Sequence, residues 1–237
     1  MGRPTRIDVG GYAYHVLNRA NGRRIIFKKR DDFAAFERVL GEAVERSSGG
    51  VRLLAYCVMG NHWHLVVRTT ENGVLSPFMK WLTLTHTQRY QVAHKRVGYG
   101  PIYQGRFKSF VIESESHLLT VCRYVERNAL RAGLIASGGR AEDWRWSSLH
   151  RWRNPRPRKS AEDDDSGIVL SKWPIPGGRP KQWLRTVNRP LTQKELEEVR
   201  TCANRCAPFG SDRWRGRVVK RFGLESTLRK PGRPRKA

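Results

Sequence analysis

Apolar residues recur along this chain with two different periods, and the changes of period mark the changes of element. Residues 12–17, Tyr-Ala-Tyr-His-Val-Leu, are dense in strand formers and predict a first strand. Asn18 to Arg24 follows as a loop, with Asn21-Gly22 as its turn signal and three arginines in it. Asp31 and Asp32 suit a helix start, and Phe33, Phe36, Leu40 and Val44 recur at spacings of three and four. That amphipathic helix should end near Ser47–Gly50. Val51 to Met59 and His62 to Arg68 are near-continuous apolar runs around Gly60-Asn61, the pattern of a β-hairpin.

Ser76-Pro77 predicts the start of a second long helix, Ser as the cap and Pro in the first turn, running toward Arg96. Gly98 to Gly105 reads as a loop and Arg106 to Ile112 as a strand. Ser114 or Ser116 can cap a last helix that ends before Gly133. The first six elements match an α+β fold of the ferredoxin-like βαββαβ type. That topology predicts four antiparallel strands in one sheet, with helices on one face and the other face free. The core region spans 8–152. Proline, glycine and charge then predict a partly disordered linker over 153–190 and a basic C-terminal extension over 191–237. Two helical patterns fall near 192–203 and 211–222, the second with Ser211 and Gly223 at its ends.

Charge adds a partner to this picture. The 237 residues carry 46 Lys and Arg against 21 Asp and Glu, a formal charge of +25. Such a surface attracts polyanions, nucleic acid first among them. The basic residues are spread along the chain and not set on one amphipathic helix, which argues against a membrane surface as partner. No run of about 18 apolar residues is available to span a bilayer, and the N-terminus lacks the apolar centre of a signal peptide. The expected compartment is the cytoplasm. Cys57, Cys122, Cys202 and Cys206 are poorly spaced for disulfides or a zinc site.

His62 and His64 open the second hairpin strand. Residues two apart in a strand share a face, so the imidazoles project side by side, with Trp63 directed to the other face. That is suitable geometry for two ligands on one divalent ion, and equally for a hydrogen-bonded surface pair. In the last helix, Leu118, Leu119, Cys122, Val125 and Ala129 form an apolar stripe that should dock on the sheet. His117, Tyr124, Asn128 and Arg131 line one border, and Tyr124 and Asn128 stack one turn apart. Alone, this tyrosine also fits an ordinary border position, with its ring packed and its hydroxyl wet.

Three blocks in order are more specific: Tyr14-His-Val-Leu-Asn-Arg-Ala-Asn-Gly-Arg23, Ala55-Tyr-Cys-Val-Met-Gly-Asn-His-Trp-His-Leu-Val-Val67 and Tyr124-Val-Glu-Arg-Asn-Ala-Leu-Arg-Ala-Gly-Leu134. Together they resemble the REP-associated tyrosine transposases, relatives of the single-tyrosine members of the His-hydrophobic-His (HUH) endonucleases. The resemblance covers about residues 8–152 and implies a ferredoxin-like fold. It implies that His62, His64 and Asn128 are metal ligands for Mg²⁺ or Mn²⁺ and that Tyr124 is the nucleophile. His15, in the first block, would contact DNA or shape the site. Gly60 stands where proline is frequent in the family.

The resemblance further implies cleavage and rejoining of single-stranded DNA at REP-like hairpins through a 5′-phosphotyrosine, by a monomer or a homodimer. Arg19, Arg23, Arg24, Lys28, Lys29, Arg106, Lys108 and Arg131 are candidate DNA contacts. Arg233, in the basic tail, is another, as a minor-groove hook. Trp81, Tyr99 and Tyr103 are candidates to stack on bases. A non-catalytic DNA-binding regulator, or a phosphodiesterase that activates water, would share the charge; neither would form a covalent adduct.

Overall fold

The computed structural model describes residues 6–155 and 166–228. Strands β1 (Ala13–Arg19), β2 (Val51–Met59), β3 (His62–Thr69) and β4 (Lys108–Ile112) form one antiparallel sheet in the order β2-β3-β1-β4. With α1 (Arg30–Arg46) between β1 and β2, and α2 (Leu75–Ala93) between β3 and β4, this is the ferredoxin-like arrangement expected.

Period-two alternation sorts the side chains. Tyr14, Val16, Trp63, Leu65 and Val67 pack under α1 and α2, against Phe33, Phe36, Leu40, Met79 and Leu82. Leu54, Val66, Phe110 and Ile112 face the opposite side. There they meet Leu118, Val121, Cys122 and Val125 of α3 (Ser116–Glu126). A short helix, α4 (Asn128–Arg131), continues from α3 after a break at Arg127.

The second face is therefore covered, not free. The reason is visible in β2, where every residue but Arg52 is buried, as in strands packed on both sides. Beyond α3 the cover comes from the segment expected as a partly disordered linker. From Ser166 onward that segment is packed: Trp173 and Trp183 are buried against the second face and Ile168 in the first core. Three large apolar anchors outweigh the proline and glycine that suggested disorder. Gly41, in the middle of α1, admits this chain, since a Cβ there would stand 1.8 Å from the Ser166 carbonyl oxygen.

The remaining helices are α5 (Ser148–Arg153), α6 (Trp183–Asn188), α7 (Gln193–Arg205), α8 (Asp212–Phe222) and α9 (Glu225–Leu228). α7 and α8 match the two patterns read in the basic extension, and Gly223 ends α8 in the left-handed region. Phe209 bridges in parallel to Ile112, so the chain between α7 and α8 continues the sheet beyond β4. Val199 and Phe209 join the second core, and Val218 and Leu224 the first.

Two helix starts differ from expectation. α2 begins before Ser76, because the Asp8 carboxylate accepts from the Leu75 and Ser76 amides at 2.9 and 2.8 Å and replaces the serine cap. It ends at Ala93, short of Arg96, where Lys95 turns left-handed. α3 starts at Ser116 without a side-chain cap. Among the described residues no helix is long and apolar enough to cross a membrane.

Candidate active site

Sheet register sets the first group of residues. Leu17 pairs with His64 and Arg19 with His62 across β1 and β3. Cross-strand partners share a face, so His15, Arg19, His62 and His64 all look toward α3. Trp63 points the other way, buried with its ring against Phe36 and its Nε1–H donating to the Tyr103 hydroxyl at 2.9 Å. It thereby anchors the histidine strand from behind.

α3 places Tyr124 directly above this face. Its ring centroid lies 5.9 Å from that of His64 and 6.0 Å from that of His15, edge-on to both. The His62 and His64 rings are 5.0 Å apart. One turn beyond Tyr124, Asn128 is buried, its Oδ1 accepting from Arg131. The Arg131 guanidinium also lies over the Tyr124 ring, 4.5 Å from its centroid. His117, expected on the same helix border, turns instead to Glu113 and Phe209.

Hydrogen bonds to the ring nitrogens decide what the histidines offer. Asn61 donates through Nδ2 to the Arg23 carbonyl at 3.0 Å, which leaves Oδ1 to accept from His62 Nδ1 at 2.6 Å. His62 Nε2 then carries the lone pair. His64 Nδ1 lies 2.9 Å from His15 Nε2. If His64 donates in that bond, its Nε2 is also free to bind. Burial pushes His62 down to about 4, with Arg19 and Arg131 adding to the shift. Burial also drives His64 well below the usual imidazole value, the neighbouring histidines and the two arginines contributing. Both imidazoles are thus neutral near pH 7, as ligands must be.

Among the described residues, no group of three or more His, Cys, Asp or Glu is arranged to hold a metal ion. A site on His62 and His64 would be completed by a neutral donor, and the buried Asn128, its Nδ2 without a partner, has the right chemistry. These residues fit a Mg²⁺ or Mn²⁺ ion with mixed nitrogen and oxygen ligands.

The expected DNA contacts divide into groups. His15 is 0 % exposed, so of its two expected roles burial favours shaping the site. Arg19, Arg106 and Lys108 line one cleft of about 440 Å³ beside β1 and β4, together with Arg6 and Arg205. Arg23, Arg24, Lys28 and Lys29 are exposed on the loop whose Ile26 and Phe27 amides donate to the Gly60 carbonyl, next to the hairpin turn. Tyr103 is buried between Trp63 and His86 and cannot stack on a base. Tyr99 is exposed, and Trp81 is partly buried under Arg46. Arg233 and the rest of the basic tail lie outside the described residues.

Sequence reasoning missed the role of Asn61, which counted only as a turn residue. The signal was its place directly before His62, where a side-chain acceptor can reach the ring.

The profile of the IS200-like transposases matches residues 8–128. Among solved structures, a REP-associated tyrosine transposase bound to a REP hairpin is 19% identical with a TM-score of 0.51, covering 72% of this chain and 96% of its own. A putative transposase from Deinococcus radiodurans is 17% identical with a TM-score of 0.38, over 56% of this chain and 94% of its own. No curated protein matches the sequence. The chain belongs to the IS200-like transposase family.

Proposed function

We propose that this transposase cuts and rejoins single-stranded DNA through a covalent bond to Tyr124. One observation carries the reading: the Tyr124 ring stands edge-on over His64, 5.9 Å away, on the face that His62 and His64 share. Elements distant in sequence thus bring together the side chains that the reading takes as nucleophile and ligand pair.

His62, His64 and Asn128 would hold the ion. When bound, Mg²⁺ or Mn²⁺ supplies Lewis acidity at the scissile phosphate and eases loss of the phenol proton. The Tyr124 oxygen attacks phosphorus, the phosphorus–O3′ bond breaks, and the departing O3′ takes up a proton. The products are a 5′-phosphotyrosine and a free 3′-hydroxyl. Because the phosphodiester energy is kept, another 3′-hydroxyl can reverse the step and join strands. Arg19 and Arg131 bring positive charge to the same centre.

Tyr124 is only 5 % exposed, between sheet and helix. A phosphate must enter that gap, which supports a single-stranded substrate at the cut. The structural neighbour was solved with a REP hairpin, and a hairpin of that kind is the substrate class proposed here. The cleft with Arg106 and Lys108, and the exposed basic residues of α8, are assigned to the backbone of its stem. Tyr124 stands over the histidines of its own chain, so one copy suffices to assemble the proposed site, in a monomer or a homodimer.

The test is incubation with a labelled single-stranded hairpin from the DNA flanking the gene and Mn²⁺, followed by a denaturing gel. A metal-dependent labelled protein band, lost in Tyr124→Phe, is expected. Cleavage that survives Tyr124→Phe would instead mean a water-activating phosphodiesterase, and binding without cleavage a regulator.

A further inference from the structure

The proposed site contains an internal conflict. Asn128 Oδ1, the atom assigned to the metal, already accepts from Arg131, while Asn128 Nδ2 is buried and unpartnered. An amide flip would turn Nδ2 toward the guanidinium, placing donor against donor. While Arg131 stays, one lone pair of the oxygen is taken and a cation sits beside it, which makes it a poorer ligand for a second cation.

Arg131 itself is incompletely satisfied. Its Nη1 is buried without a partner, and among the described residues no carboxylate pairs with it. Arg19, cross-strand from His62, likewise has a buried Nε without a partner. Both guanidinium groups bear on His62 and His64. A buried donor left without an acceptor is costly. Two such arginines at one site call for an anion, and a phosphate diester offers a planar fork its matching pair of oxygens.

We infer that Arg131 is a gate on Asn128: it caps the amide oxygen until a DNA phosphate draws the guanidinium away and frees that oxygen for the metal. The inference rests on the metal-site reading above. A phosphate that engages the unpartnered Nη1 pulls the guanidinium and its charge away from the amide, so anion arrival and ligand release are coupled. By linkage, DNA tightens metal binding and metal tightens DNA binding, with Arg131 as part of the coupling. The gate would keep the site from taking up metal in full before a strand is in place.

The test needs no cleavage. Mn²⁺ affinity is read from the free-ion electron paramagnetic resonance signal, with and without oligothymidylate. Without DNA, Arg131→Ala should bind Mn²⁺ more tightly, on the order of 10-fold, and gain less from oligothymidylate than the parent does. Arg131→Met, which keeps an apolar stem against the Tyr124 ring, carries the same expectation if the alanine variant folds poorly.

Arg19→Ala is the control for charge, since Arg19 bears on the same histidines but makes no hydrogen bond to Asn128. Its gain should be clearly smaller. Equal gains in the Arg19 and Arg131 variants, or none in the latter, would overturn the gate. Mn²⁺ affinity indifferent to His62→Ala and His64→Ala would overturn the metal-site reading beneath it.

Discussion

His15 Nε2 and His64 Nδ1 lie 2.9 Å apart inside the sheet face, their rings stacked 14° from parallel. Only one hydrogen can occupy that bond. A lone pair on His64 Nε2 requires His64 to donate and His15 to accept. Burial pushes His15 down to about 3, so near pH 7 it is neutral and able to accept.

The first prediction follows from this pair. His15→Leu fills the space but removes the acceptor, leaving the His64 tautomer unfixed. Mn²⁺ affinity should fall about 10-fold or more, with thermal stability changed far less than by loss of a core aromatic. An unchanged affinity by calorimetry would show that His15 only packs.

Glu126, two residues after Tyr124, is fully buried. It accepts from Arg179 at 3.0 and 3.1 Å, from Trp183 Nε1 at 2.6 Å and from Ser148 at 2.6 Å. The bonds from Arg179 and Trp183 tie α3 to the 166–190 segment. Glu126→Ala leaves Arg179 nearly buried without its partner and should cost about 3 kcal/mol or more. Urea unfolding is the check, and a loss below about 1 kcal/mol would mean that the segment is held by its tryptophans alone.

Gly41 gives a prediction whose sign is decided by geometry. In an exposed helix, Gly→Ala gains about 1 kcal/mol. Here the new Cβ would overlap the Ser166 carbonyl oxygen, which is backbone and cannot swing aside. Gly41→Ala should therefore destabilise, by about 1–3 kcal/mol. A raised melting temperature would contradict the close packing of residue 166 on α1.

His86 predicts a pH dependence. The Tyr103 hydroxyl accepts from Trp63 Nε1–H, and its own buried hydrogen has an acceptor in His86 Nδ1 at 2.7 Å. That nitrogen must stay unprotonated. Burial is the main cause of a pKa lowered from 6.5 to about 3. The unfolded chain binds this proton first, so stability is full above pH 6.5 and falls as pH drops toward 3. The slope from one such group is about 1.4 kcal/mol per pH unit. His15, His62 and His64 are lowered too, so His86→Gln, which keeps an acceptor, should reduce the slope over that window by one group's share, and an unaltered slope would place the proton elsewhere.

Much of this was legible in the sequence because it rests on local periodicity. The hairpin around Gly60-Asn61, the shared face of His62 and His64 and the docking of the Tyr124 helix on the sheet all follow from strand and helix geometry. What the sequence hid is non-local. Asp8 caps α2 from 67 residues away. His15 stood open between a DNA contact and a part in shaping the site until β1 was placed beside β3. Trp173 and Trp183 lie in a proline-rich stretch, and only the tertiary fold shows the core they fill. Arg131 read as a border residue and candidate DNA contact, while its bond to Asn128 and its place on the Tyr124 ring depend on side-chain conformation.

The most direct test of the central claim is mass spectrometry of the trypsin-digested protein after reaction with hairpin DNA and Mn²⁺. Trypsin releases Tyr124 in the peptide Tyr124-Val-Glu-Arg127. The account predicts that this peptide carries a nucleotide joined through its 5′-phosphate, and that the DNA fragment released ends in a 3′-hydroxyl. Cut DNA with the peptide unmodified, or with the nucleotide on a different residue, would contradict it.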